Sequence, residues 1–238
     1  MDVNRKWHLL NMNHMNVKLI SHSTPAEDFA AEGVDNVQEL IAFCARVSNP
    51  SNQINSETSA KLIRYLIKHY HWSPLEMVSV CLEIETTRDI ARQMLRHRSF
   101  SFQEFSQRYA NPLEDMQFVT RDARLQDTKN RQNSIELDPE DEIDNKLRQA
   151  WLAQQDKVIM AADKAYAWAI ENGIAKEQAR AVLPEGLTKS RLYMNGTLRS
   201  WIHYIELRSA NGTQLEHMEI AKECAKVIAK VFPLATTL

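Results

Sequence analysis

Glycine is scarce in this chain: five in 238 residues, at positions 33, 173, 186, 196 and 212. Spacing that wide excludes the dinucleotide-binding Gly-x-Gly-x-x-Gly turn and the P-loop, whose glycines let backbone amides close around phosphate. Any bound nucleotide must be held by side chains and helix ends. Cysteine is scarce too. Cys44, Cys81 and Cys224 are odd in number and far apart, which supports neither a disulfide framework nor a zinc site and points to a reducing cytoplasm. No apolar run approaches a membrane span, and residues 1–14, polar with Asn and His, have no signal-peptide core and read as an N-terminal extension. Nor does one sign of charge dominate: 29 Lys and Arg face 31 Asp and Glu, for a net charge of -2 and a pI near 6.5. A general nucleic-acid or acidic-membrane binder would show a basic surplus, so the basic residues must be locally concentrated. The length allows a substantial core, and no repeat or linker divides it, so one domain spanning 1–238 is expected.

The polar chemistry is concentrated in Arg96-His97-Arg98-Ser99-Phe100-Ser101-Phe102-Gln103-Glu104-Phe105-Ser106-Gln107-Arg108-Tyr109. Arginine forks match phosphate and carboxylate oxygens in two-point contacts, while hydroxyls, amides and a carboxylate can read the edge of a heterocycle. Such a stretch suits an anionic, ring-bearing ligand such as a nucleotide.

Periodicity places this stretch among helices and a few strands. A strand is expected over 16–21, and a helix over 36–47 opening with Asn36 and Glu39 at capping-box spacing. Leu62, Ile63, Leu66, Ile67 and Tyr70 mark an amphipathic helix broken at Ser73-Pro74, and 78–84 alternates as a half-buried strand. Thr87 can cap the next helix, which carries Ile90, Ala91, Met94 and Leu95 and ends at the polar motif. The stretch 120–145 has almost no apolar period and reads as a polar insertion or mobile excursion. Helices are expected over 146–172 and 176–183, then from Thr197 with Leu198, Trp201, Ile202, Ile205 and Leu207. A last one runs to Val231 behind a capping box of Thr213 and Glu216.

Plainer readings apply to several residues. Arg88 and Arg92 suit a solvated helix face with Glu85 and Asp89 as partners. Trp72, Trp151, Trp168 and Trp201 suit core anchors, and so do Cys44 and Cys224 within helical apolar patterns, while Cys81 suits a strand. None of the cysteines lies beside a feature that would activate a thiolate. Ser106, without a nearby His base, suits a hydrogen-bond donor rather than a nucleophile. His97 between two arginines should have a lowered pKa. His69 and His71 are two apart, but no third ligand stands at a convincing distance, so no metal is expected.

Four ordered segments carry a resemblance. Arg96-His97-Arg98, seven residues, then Ser106 resembles the signature of the flavin-dependent thymidylate synthases, and Gln93, Glu104, Arg108 and Tyr109 fit beside it. Upstream, His71-Trp72-Ser73-Pro74-Leu75-Glu76 resembles the family's His-x-Ser/Thr-Pro-x-Glu segment. Downstream, 179–184 and 199–208 resemble its other ligand-contacting segments. The resemblance implies an α/β (α+β) fold, a small mixed sheet flanked by several long helices. It implies 5-methylation of dUMP to dTMP, with 5,10-methylenetetrahydrofolate as one-carbon donor and FAD, reduced by NADPH, as hydride source, without an enzyme cysteine nucleophile. It also implies a homotetramer with shared active sites. FAD would meet Ser73, Arg96, His97, Arg98, Glu104, Thr197, Leu198, Arg199 and His203. The dUMP would meet Gln93, Met94, Leu95, Arg96, Glu104, Phe105, Ser106, Gln107, Arg108, Arg180 and Arg208. Arg208 would be the catalytic group, favouring ionisation at N3 of the uracil, as a cation beside an imide does.

Gln107 stands where the family often has glycine, and Thr197 and His203 where some members have asparagine; each keeps a hydrogen-bonding group. Two rival readings differ in kind. A nucleic-acid binder could use the Arg- and aromatic-rich stretch, but predicts a broad basic surface. A silent nucleotide-binding regulator would dispense with the uracil-activating arginine, and Arg208 is present.

Overall fold

The computed structural model describes residues 15–30 and 32–234; the expected extension at 1–14 lies outside the described residues. Strand β1 (Asn16–His22) forms as its pattern suggests, followed by the single turn α1 (Glu27–Ala30). Helix α2 (Val37–Ala45) opens at Asn36, whose side-chain oxygen accepts from the Glu39 amide at 3.0 Å. Glu39 returns the bond to the Asp35 amide at 3.0 Å, one residue further out than the ideal box. Helix α3 (Ser59–Lys68) buries Ile63 and Leu66 and packs on α2. It ends where Tyr70 takes a positive φ of 59°, and a 3-10 turn at Ser73–Glu76 leads onward.

Strand β2 (Ser79–Thr87) runs three residues past the expected end. The excess, Glu85 to Thr87, is polar but largely buried, and within the expected span Glu83 is buried and satisfied, accepting from Lys18 Nζ at 3.2 Å and from the Tyr193 hydroxyl at 2.9 Å. Helix α4 (Arg88–Met94) follows directly. The Thr87 hydroxyl donates to the Asp89 carboxylate and accepts from Arg121, 2.6 Å each. Strand β3 (Ser101–Glu104) lies inside the polar motif, and α5 (Pro112–Asp115) follows it.

The 120–145 stretch is built rather than structureless. Its strands β4 (Arg124–Gln126) and β5 (Ser134–Glu136) pair antiparallel, with Leu125 opposite Ile135. The thirty-residue helix α6 (Glu142–Glu171) starts four residues earlier than its apolar period suggests, because Asp141 caps it by accepting from the Ile143 and Asp144 amides. Helix α7 (Lys176–Ala179) passes into a 3-10 turn at Arg180–Val182. Strand β6 (Lys189–Thr197), which the sequence reading leaves unassigned, then delivers α8 (Leu198–Ser209), capped by Thr197 through the Ser200 amide. At helix α9 (Leu215–Ile228) Gln214 rather than Thr213 takes the cap position, its side-chain amide donating to the Glu216 carboxylate at 3.0 Å, and the Thr213 hydroxyl donates to the Leu207 carbonyl at 3.4 Å.

The four-stranded sheet has the order β1-β2-β6-β3. A small sheet with several helices is the class the resemblance implies. The chain divides into two compact units. One gathers 15–16, Glu85–Met94 and Glu104–Leu192, with Phe118, Ile159, Ala162, Tyr166, Ala169, Ala179 and Leu183 as its core on α6. The other gathers Val17–Ile84, Leu95–Gln103 and 193–234, where Trp201, Tyr204, Ile220 and Cys224 fill the α8–α9 interface region. Of the four tryptophans expected in the core only Trp201 is fully buried; Trp151 and Trp168 are exposed and Trp72 is half-buried. Leu207 is exposed as well.

Candidate active site

In the unit carrying α8, the turn after α4 presents Arg96 and Arg98 to solvent, neither with an ion pair or hydrogen bond among the described residues, and half-buries His97 between them. Phe100 anchors this turn. Its ring stands edge-on to Trp201, 4.8 Å between centroids, and lies so close to Gly196 that a Cβ there would meet the ring at 2.4 Å. Ser200 Oγ donates to the Ser99 carbonyl at 3.3 Å, a second tie between α8 and the turn.

Arg208, in the last turn of α8, donates from Nε to His97 Nε2 at 2.9 Å. The accepting nitrogen carries no proton, so His97 is neutral and protonated at Nδ1. Burial, then the nearby Arg208 and Arg96 charges, lower the His97 pKa, which keeps it so. Arg208 has no carboxylate partner among the described residues, so its terminal nitrogens and full charge stay available. Behind His97 stand the Tyr204 ring, 5.0 Å away and edge-on, and His217.

The same unit holds Ser73, exposed at the head of its 3-10 turn, half-buried Leu95, and Thr197 at the α8 cap. Arg199 is ion-paired with Glu76, and His203 packs edge-on to Trp72 at 4.3 Å. Leu198 is fully enclosed and belongs to the core.

In the other unit Glu104 accepts from Ser190 Oγ at 2.8 Å and pairs with Arg88 at 3.5 Å. Arg88 is thus buried, not on a solvated face; Glu85 and Asp89, its expected partners, pair with Arg191 and Arg121 instead. Arg108 pairs with Glu177 at 3.3 Å, and Arg180 Nε donates to the Glu177 carbonyl at 3.3 Å. The Ser106 oxygen accepts from the Arg108 amide at 3.4 Å. The Gln107 Nε2 is buried without a hydrogen-bond partner, an orphan donor of the kind a ligand oxygen or water satisfies. Phe105 and Gln93 are half-buried, and Met94 is fully enclosed. Sequence reasoning misses Arg88, Ser190, Tyr204 and His217, whose roles depend on partners distant in the chain. Only the alternation of buried Ser190, Leu192 and Met194 along β6 offered a signal.

The family model for "Thymidylate synthase complementing protein" matches residues 32–234. A relative named "Probable flavin-dependent thymidylate synthase" from Paramecium bursaria Chlorella virus 1 is 49% identical over 219 residues, covering 92% of this chain and 96% of the relative. This chain belongs to the flavin-dependent thymidylate synthase family. The synthase of Synechocystis sp. is 45% identical over 224 residues, with 92% of this chain and 96% of that one covered. A solved UMP/dUMP methylase, PolB from Streptomyces cacaoi, bound with 5-Br dUMP, has a TM-score of 0.75 at 25% identity, covering 94% of this chain and 93% of that one. As a flavin-dependent thymidylate synthase family member, the chain carries the family's Arg-His-Arg turn on the anchored loop just described. Among the described residues no group of three His, Cys, Asp or Glu side chains could hold a metal ion, and no helix is long and apolar enough to cross a membrane.

Proposed function

We propose that this protein makes thymidylate, methylating dUMP at C5 with 5,10-methylenetetrahydrofolate as one-carbon donor and FAD, reduced by NADPH, as hydride source. The observation that carries the reading is the pairing of Arg208 with a neutral His97 rather than a carboxylate. A guanidinium left unneutralised lowers the cost of placing negative charge on a nearby imide, and so favours the N3-ionised pyrimidine. Its charge is aimed by one hydrogen bond, with the terminal nitrogens left for the base.

For the rest of dUMP the reading keeps Arg96, Arg108 and Arg180 as cations suited to anionic oxygens, Ser106 and the orphaned Gln107 amide as hydrogen-bonding groups, and Gln93, Glu104 and Phe105 as further contacts. Met94 and Leu198 are enclosed and offer no surface to a ligand.

The residues proposed for FAD fit its chemistry. Arg96 and Arg98 are exposed cations without carboxylate partners among the described residues, which suits a diphosphate, and Ser73, Thr197 and His203 add hydrogen-bonding groups. Arg199 is held by Glu76, so it keeps a fixed direction at reduced net charge. When bound, FAD supplies the hydride. The chain's own thiols are not poised for attack: burial raises the pKa of Cys44, Cys81 and Cys224 alike, in keeping with a route without an enzyme nucleophile.

The assembly we infer is a cytoplasmic homotetramer with shared sites. Exposed Ile143, Leu147, Trp151, Val158 and Trp168 fall within a stripe of about 100° along α6, the kind of face a second copy would cover. The test is a visible absorbance spectrum of the full-length protein before and after anaerobic NADPH, then dUMP. Flavin bands that bleach with NADPH and shift with dUMP support the reading; a protein that takes up no FAD and ignores dUMP overturns it.

A further inference from the structure

Behind the His97–Arg208 pair lie two buried polar groups for which neither the core nor the assigned ligand contacts give a reason. The Tyr204 hydroxyl and His217 Nε2 share a hydrogen bond of 3.1 Å. Both residues are essentially inaccessible, at 1% and 0% exposure. An apolar pair of similar volume would fill the space without the desolvation both polar groups suffer. The polar pair fixes an orientation. Tyr204 turns its ring edge-on to His97 at 5.0 Å, and His217 stands edge-on to the same imidazole at 6.5 Å. Phe100 and Trp201 hold the Tyr204 ring from other sides, at 5.9 and 5.8 Å.

We propose that Tyr204 and His217 are positioning residues for the substrate arginine: their hydrogen bond locks the wall against which His97 stands, and His97 holds Arg208 by Nε alone. The inference rests on the reading of Arg208 as the group that meets the pyrimidine. Without the lock the tyrosine ring can rotate, and the imidazole can turn or exchange tautomers. A His97 that presents an N–H toward Arg208 loses the bond and repels the guanidinium. All three groups stay uncharged near neutrality. Burial, then the nearby Arg208 charge, lowers the His217 pKa to about 3, and burial raises that of Tyr204. None of the three therefore presents a negative charge to Arg208 in competition with dUMP. Neither Tyr204 nor His217 needs to touch a ligand to act.

The test uses the full-length flavin-loaded enzyme and the variants Tyr204→Phe, His217→Leu, His217→Gln and Arg208→Gln. It measures dUMP affinity by calorimetry, kcat and KM for dUMP, thermal midpoint, and histidine side-chain nitrogen NMR. In Tyr204→Phe and His217→Leu we expect dUMP affinity to fall roughly ten-fold, the loss of one oriented hydrogen bond. The His97 resonances should pass from one tautomer to a mixture. His217→Gln can still bond the Tyr204 hydroxyl and should recover most of the affinity. If Tyr204→Phe and His217→Leu bind dUMP as the parent does with His97 in one tautomer, or if His217→Gln is no better than His217→Leu, the positioning role is wrong. Should Arg208→Gln keep parental dUMP affinity, the reading of Arg208 itself fails, whatever the other variants do.

Discussion

Replacing Gly196 with alanine should destabilise the fold and loosen the active-site turn together. The new Cβ would lie 2.4 Å from Phe100 Cδ1 and 2.6 Å from Cε1. The ring cannot simply retreat, because Phe100 is 8% exposed and wedged against Trp201 and Tyr204. Overpacking of this sort costs about 2 kcal/mol, which for a chain of this size lowers the thermal midpoint by about 4–8 °C. The Phe100 amide donates to the His97 carbonyl at 3.2 Å, so a displaced ring also carries His97 away from Arg208. Thermal unfolding followed by circular dichroism, paired with dUMP calorimetry, reads both effects. A Gly196→Ala protein that melts within about 1 °C of the parent and binds dUMP as tightly would refute the packing argument.

Three further outcomes follow from buried polar groups. Gln155→Leu removes an amide that accepts from the Arg121 N–H at 2.8 Å and donates to the Arg121 carbonyl at 2.9 Å; denaturant unfolding should show a loss of about 3 kcal/mol, and a loss below about 0.5 kcal/mol would contradict it. Arg88→Met leaves Glu104 with only Ser190 among the described residues and should cost about 3 kcal/mol, part of which the Arg88→Met/Glu104→Gln double variant recovers; equal losses in single and double variants would refute the coupling. His217 binds its proton far more readily when unfolded, near the ordinary value of about 6.5, than when folded, about 3. Stability therefore falls as the pH drops below about 6.5, by about 2–3 kcal/mol at pH 4.5. Urea unfolding across that range should show the parent losing this much more than His217→Gln, and parallel slopes would contradict the assignment.

The helices were legible because their signals are local. Asn36 and Glu39 cap α2, Thr197 caps α8, and the apolar spacing of α3 finds its buried Ile63 and Leu66, while Leu62 and Ile67 are half-buried and Tyr70 lies past the helix end, exposed. What escaped depends on partners elsewhere. Strand β6 alternates buried Ser190, Leu192, Met194 and Gly196, but its polar residues and glycine weaken the apolar pattern. Strand β3 lies within the polar motif, so no apolar period marks it. Thr213 and Glu216 have the spacing of a cap, yet Gln214 takes the position, since spacing alone does not fix where a helix begins. The resemblance named His97 and Arg208 as site candidates, while their hydrogen bond spans 111 positions and only the fold reveals it. Arg88 looked like a surface residue because Glu104 is sixteen positions away on another element.

The central claim is that this chain converts dUMP to dTMP with Arg208 as the activating group. Its most direct test is chromatographic detection of dTMP from full-length protein given FAD, NADPH, dUMP and methylenetetrahydrofolate, alongside Arg208→Gln. The account predicts dTMP from the parent and a loss of roughly a hundred-fold or more in kcat/KM from the variant, as removal of a charge-stabilising donor produces. No dTMP from a flavin-loaded, folded parent, or undiminished turnover in Arg208→Gln, would contradict it.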